Sequence, residues 1–170
     1  MDKVKIVLDA DVIIHFSKGE LLSLLPAIFP GHTYIVLDKV YHEIKDPIKS
    51  QLDKQIYFLK NIQVFPYSPK GAELLEYALL TKSKGKGESA SLAFCRFNPN
   101  VIGSSNLSDI KSYCEQHHIT YLTTLDFLYH AIQKKLISIK EADSFIREVR
   151  AKDSTLPDIS MFTYVSKAVI

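Results

Sequence analysis

KVKIVLDADVIIHF, residues 3–16, runs from an apolar segment, Ile6, Val7 and Leu8, straight into Asp9. A second carboxylate, Asp11, follows two residues later, and the chain then turns apolar again. A short β-branched run bounded by an acid reads as a buried strand whose end leaves the core. Similar runs recur at Tyr34–Leu37, Ile62–Pro66, Val101–Gly103 and Thr120–Leu122, with Lys5–Leu8 as the first of the set. Between them lie helical patterns with apolar residues three and four apart. Leu74, Leu75, Ala78 and Leu79 form one such set, and Leu92, Ala93 and Phe94 belong to another. Strands alternating with helices predict βαβ units and a mainly parallel sheet covered on both faces. In such a sheet, ligands sit beyond the C-terminal strand ends, where the strand order reverses. Asp9 falls at such an end, so the acid stands at the lip of the core, over the crevice.

Length and composition fit this reading. The chain has 170 residues, 46% hydrophobic and 24% charged, which predicts one domain with a proper core. The net charge of +2 leaves nucleic-acid binding to a local patch. The two cysteines, Cys95 and Cys114, lack CxxC spacing and make no disulfide framework. No leader segment or run of about 20 apolar residues is visible, so a cytoplasmic protein with no membrane span is expected. Pro47 suits a first helical turn and Gly19 a helix C-cap. Ile139 to Val149 reads as a late amphipathic helix, and Met161 to Val165 as an edge strand or a packed tail.

Three further acids keep company with Asp9. Glu43 lies in VYHEI, after the second strand; Glu88 lies in GKGESASLAFC, in a first helical turn; Asp109 lies in VIGSSNLSDIKSYC, behind the fourth strand. Each has a plain structural reading: Asp9 as an N-cap, Glu43 and Asp109 on solvated helix faces, Glu88 as an acid favoured by a helix dipole. Asn106 or Ser105 would cap the helix that carries Asp109. Together, however, the acids follow strand ends or open helices and could converge on one crevice. Crowded carboxylates raise each other's pKa unless a cation lies between them. A hard oxygen site of this kind suits Mg²⁺ or Mn²⁺, which can activate water and neutralise a phosphodiester.

KIVLDADVIIHF, VYHEI, GKGESASLAFC, VIGSSNLSDI and ITYLTTLDFLYHAIQKKLI, in that order, resemble the PIN domain. The resemblance implies a three-layer α/β/α sandwich around a mainly parallel sheet. It places the domain at residues 1–150, with 151–170 as a tail packed on it. It also implies a metal-dependent endoribonuclease, a phosphodiesterase using Mg²⁺ or Mn²⁺, of the branch that includes toxins of toxin–antitoxin pairs. RNA, an antitoxin protein and a second copy of the chain are the partners it suggests. By position, Asp9, Glu43, Glu88 and Asp109 take the catalytic places. Asp9, Glu88, Asp109 and Asn106 would hold metal, with Glu43 holding a second ion or orienting water. Asp11 and Ser105 would support them, and Lys84 and Lys86 would meet RNA phosphates. The chain departs from the family behind the fourth strand, where the usual TxD reads Ser104-Ser105-Asn106. Asn106 brings an oxygen but no charge, so Asp109, one helical turn on, would supply it.

Two other readings stay open. LDADV also fits a haloacid-dehalogenase-like phosphatase, with Asp9 as nucleophile and Asp11 as acid/base. That reading lacks the usual Thr at Ile13 and leaves Glu43 and Glu88 without roles. The Asn106 departure also suits a PIN fold that has lost catalysis and serves as a binding module. Gly85-Lys86-Gly87 lacks phosphate-loop spacing, and the six histidines form no HExxH motif. Asp126, in TTLDFL, reads as a cap for the helix it opens.

Overall fold

A computed structural model describes residues 3–170. Its sheet is built from β1 (Lys5–Leu8), β2 (Thr33–Leu37), β3 (Gln63–Phe65), β4 (Val101–Gly103) and β5 (Tyr121–Leu122). The strands run parallel in the order β3-β2-β1-β4-β5. Ile6, Val7 and Leu8 are fully buried, which is why β1 reads as unbroken hydrophobic sequence: both of its faces are covered. All strand limits match the sequence reading to within a residue; β3 omits Ile62 and Pro66, one at each end.

The helices are divided between the two faces of the sheet. On one face, α1 (Ala10–Lys18) packs with α4 (Ile48–Asp53), α8 (Thr124–Gln133) and α9 (Ile139–Ala151). On the other, α6 (Lys86–Phe97) lies against β1, β2 and β4, with α5 (Gly71–Leu80) and α7 (Leu107–Gln116) beside it. A short α2 (Leu25–Ile28) precedes β2, and α3 (Asp38–Glu43) follows it and packs on α6. A π-helical turn, Lys54–Phe58, leads into β3. This is a three-layer α/β/α sandwich. The strand order reverses at β1, so the crevice above β1 and β4 is the topological switch point. Asp9 sits there, its backbone N–H bonded to the Gly103 carbonyl at 2.8 Å.

Three local expectations change. Gly19 is the C-cap of α1, but at φ −83°; Glu20 takes the left-handed φ of 60° instead. Gly19 is required by space: a Cβ there would lie 2.1 Å from the ring of Phe145 on α9. On α5, Leu74, Leu75 and Leu79 are exposed, and only Leu80 of that helix is buried. The apolar spacing therefore marked a helix correctly but not a core face. Finally, Met161–Val165 forms no strand. It belongs to a packed tail in which Leu156 and Met161 are buried and the Met161 N–H donates to Asp143 Oδ1 at 2.7 Å. The late helix behaves as read: Ala142, Phe145, Ile146 and Val149 form its buried stripe.

Candidate active site

Asp9 opens the site. It is the N-cap of α1, and its Oδ1 accepts from the Ala10 N–H at 3.0 Å. Burial, then the neighbouring charge of Asp11, push its carboxyl up to about 8, and Glu88 adds to the rise; the Ala10 N–H and the Ser104 hydroxyl hold it back in part. Asp11 takes both of its oxygens to the backbone. Oδ1 accepts from the Val12 N–H and Oδ2 from the Ser105 N–H, each at 2.7 Å. It thereby ties the β4–α7 loop to the start of α1, while burial keeps its pKa above the usual range.

Glu88 faces them from the first turn of α6. Burial and the charge of Asp109 raise its pKa, against the pull of Lys84 and the Asn106 amide. Asn106 is the link. Its Nδ2 donates to Glu88 Oε1 at 3.1 Å and to Asp109 Oδ2 at 2.7 Å, and its Oδ1 accepts from the Ser108 hydroxyl at 2.9 Å. Asn106 occupies the N-cap position of α7 but caps nothing with its side chain; the neighbouring acids claim it. Asp109 is exposed at the rim, so Asn106 and Asp109 share one face, as their spacing implied.

Glu43 reaches the residue that precedes Glu88. Its Oε1 accepts from the Gly87 N–H at 2.9 Å, at the start of α6. Helix N-termini attract anions, and here the anion is a carboxylate of the same chain. Gly87 is glycine for that reason: a Cβ would lie 2.5 Å from Glu43 Oε2. Gly85-Lys86-Gly87 is thus a helix start clamped by Glu43. Lys84 stands beside Glu88, and Lys86 is exposed in the first turn of α6.

Sequence reasoning missed the support beneath the β4–α7 loop. The Thr124 N–H donates to Ser105 Oγ at 2.7 Å, the Ser105 hydroxyl lies 2.8 Å from Thr124 Oγ1, and His15 Nδ1 lies 2.8 Å from the same Thr124 oxygen. Burial, then Lys18, lower His15 to about 4, so its ring is neutral at physiological pH. One signal was present: His15 follows Asp11 by four residues and shares its helix face. Asp126, by contrast, is a cap as expected, within a Thr123–Asp126 capping box.

Among the described residues, no three His, Cys, Asp or Glu side chains converge on one point in a way that could hold a metal ion as they stand. The donor chemistry nevertheless suits a hard divalent cation. Asp9, Asp11 and Glu88 are acids held above their usual pKa, and Asp109, Asn106 and the Ser104 hydroxyl add oxygens. None of the four acids pairs with a Lys or Arg among the described residues. In the phosphatase reading Asp11 would be the acid/base, and each of its oxygens already accepts one backbone N–H.

A parallel sheet of this order, with acids gathered above its switch point, defines an α/β/α protein of the PIN class. The chain matches the PIN-domain family model DUF3368 over residues 5–164 and belongs to that family. No curated protein and no solved structure matches it. Membership supports a nuclease of PIN type at the level of the family, in which divalent-metal dependence is general. No helix among the described residues is long and apolar enough to cross a membrane.

Proposed function

We propose that this chain is a divalent-metal-dependent endoribonuclease. The observation that carries the reading is the buried Asp9 carboxyl, raised to about 8 among Asp11 and Glu88, with no cationic side chain paired to it among the described residues. Asp9, Glu88 and Asp109 would hold Mg²⁺ or Mn²⁺, with Asn106 offering its carbonyl oxygen. The bound ion would supply an activated water and neutralise charge on the scissile phosphodiester. Asp11 fixes the β4–α7 loop against α1, and the Ser105–Thr124–His15 chain holds that loop from below. Glu43 keeps the start of α6, and so Glu88, in place. Lys84 and Lys86 both precede Glu88 in sequence, by four and two residues, and would receive RNA phosphates. The test is Mn²⁺-dependent cleavage of a mixed RNA substrate by the purified chain, with Asp9→Asn as the control that must be inactive.

In its finer form the proposal makes the chain a cytoplasmic toxin with an antitoxin partner. Growth arrest on induction, relieved by the product of an adjacent gene, tests that form. A second reading, a PIN fold serving only to bind, draws on the Asn106 amide, which donates to both Glu88 and Asp109. An Mn²⁺ titration separates the two: a rise in melting temperature supports the nuclease, and no rise supports the binding module.

A further inference from the structure

Beside the acids, the surface opens into a groove of about 640 Å³. Such a volume lies within the range of about 300–1,000 Å³ common for small-ligand sites. Asp11 and Asn106 belong to both the groove and the acid cluster, so the two are continuous. Its near wall is the first half of α1 with the start of α7; its far wall is Asp153–Pro157, the segment that follows α9.

That far wall is held firmly. The Lys18 ammonium donates to the Lys152 carbonyl and to Ser154 Oγ, and the Lys152 ammonium donates back to the Lys18 carbonyl at 2.7 Å. Arg150 donates to the Leu156 carbonyl, and the Leu156 side chain is buried. The lining has a definite chemistry. Ile14, Leu107 and Pro157 present apolar surface, and Ser108, Ser154 and Thr155 present hydroxyls. No Lys or Arg lines the groove among the described residues, and Asp11 and Asp153 are its only Asp or Glu residues. A phosphate would meet repulsion here. A neutral, flat group with hydrogen-bonding edges would not.

We infer that this groove is a nucleoside subsite, which seats the base and ribose adjoining the scissile phosphate between Leu107 and Pro157. The inference rests on the endoribonuclease reading and deepens it. The site then has two unlike flanks: lysines on the α5–α6 side for phosphates, and a slot lined by no Lys or Arg among the described residues on the tail side for a base. Apolar walls accept a base face, and the hydroxyls meet its edges.

The test uses the whole protein and a nucleoside as probe. Titration of uridine or adenosine, followed by amide NMR, should shift the signals of Ser108 and Thr155, and inorganic phosphate should not. Thr155 is exposed, so Thr155→Trp fills the slot without disturbing the core. It should weaken binding of nucleoside and of a short 2′-O-methyl RNA roughly tenfold, with Mn²⁺ affinity and melting temperature unchanged. Unchanged RNA affinity in Thr155→Trp, equal shifts with phosphate, or a peptide binding there in preference to nucleosides would overturn the subsite. Cleavage by the parent with an unaltered KM in Thr155→Trp removes the subsite and leaves the nuclease. Nucleoside binding in the groove of a protein that never cleaves RNA removes the nuclease and leaves the subsite.

Discussion

Asp9 and Asp126 are the same residue type at comparable points of the fold. Each lies just beyond a parallel strand, at the opening of a helix, and each is almost fully buried, 6% and 5% exposed. Their surroundings differ. Asp126 Oδ2 accepts from the Thr123 N–H and hydroxyl, and Oδ1 from the Tyr164 hydroxyl, all at 2.8 Å. Asp9 has the Ala10 N–H and the Ser104 hydroxyl, while Asp11 and Glu88 press their charge on it. Burying a carboxylate is tolerable where donors surround it and costly where acids do. The first arrangement satisfies the buried acid within the fold; the second suits the divalent cation that the nuclease reading calls for.

The sharpest way to break this comparison is Asp9→Asn. It should lower RNA cleavage about 10³-fold, roughly 4 kcal/mol of transition-state stabilisation, and weaken Mn²⁺ binding. The metal-free protein should melt at the same temperature or higher, because Asn relieves the repulsion and still accepts from Ala10. Single-turnover kinetics and apo melting check both halves. A collapsed fold with unchanged Mn²⁺ affinity per folded molecule would make Asp9 a mere cap. Asp126→Ala should do the reverse. Loss of the capping box and of the Tyr164 partner should cost about 3 kcal/mol in denaturant unfolding. Cleavage per folded molecule should stay unchanged.

Acid and base conditions sharpen the contrast. Asp9 binds its proton more tightly when folded, so it removes stability as pH rises from about 4 to 8, by up to about 1.4 kcal/mol per pH unit. His15 is held neutral when folded, so it removes stability as pH falls from about 6.5 to 4. The two oppose each other below pH 6.5. From these groups, metal-free stability should be nearly level up to pH 6.5 and then decline toward 8. In Asp9→Asn the decline should vanish and a rise from 4 to 6.5 should appear. Thermal melts across that range measure it.

Smaller effects belong to the rim. Asp109→Ala should slow cleavage about tenfold, near 1.4 kcal/mol, if Asp109 supplies the charge that Asn106 lacks. Asn106→Asp should raise Mn²⁺ affinity and cleavage a few-fold, with a lower apo melting temperature, since the amide bonds to Glu88 and Asp109 are lost. Asn106→Ala inactive beside a fully active Asp109→Ala would transfer the ligand role to Asn106.

What the sequence disclosed was local. Strand runs, the Asp126 cap and the stripe of α9 follow from spacing along a few residues, and they stand where spacing put them. The acids were legible as strand-end residues, and so was the pairing of Asn106 with Asp109, three apart. The pairings across the fold were not. Asp11 meets Ser105, Glu43 meets Gly87 and His15 meets Thr124 only because the sheet brings distant segments together. Periodicity also cannot say whether a neighbour covers a helix face, which is why the α5 leucines read as core and lie exposed.

Gly19 gives this architecture an unexpected route for change under selection. The Phe145 ring fills the space where a side chain at position 19 would stand, so any larger residue there must push on α9. Through its C-terminal end, α9 carries Asp153–Pro157, the far wall of the groove. Drift at one glycine, on the opposite end of α1 from Asp9, would therefore reshape the slot and leave the acids alone. Under the endoribonuclease reading, a change of RNA preference would show at position 19 and in the tail before it showed among the acids.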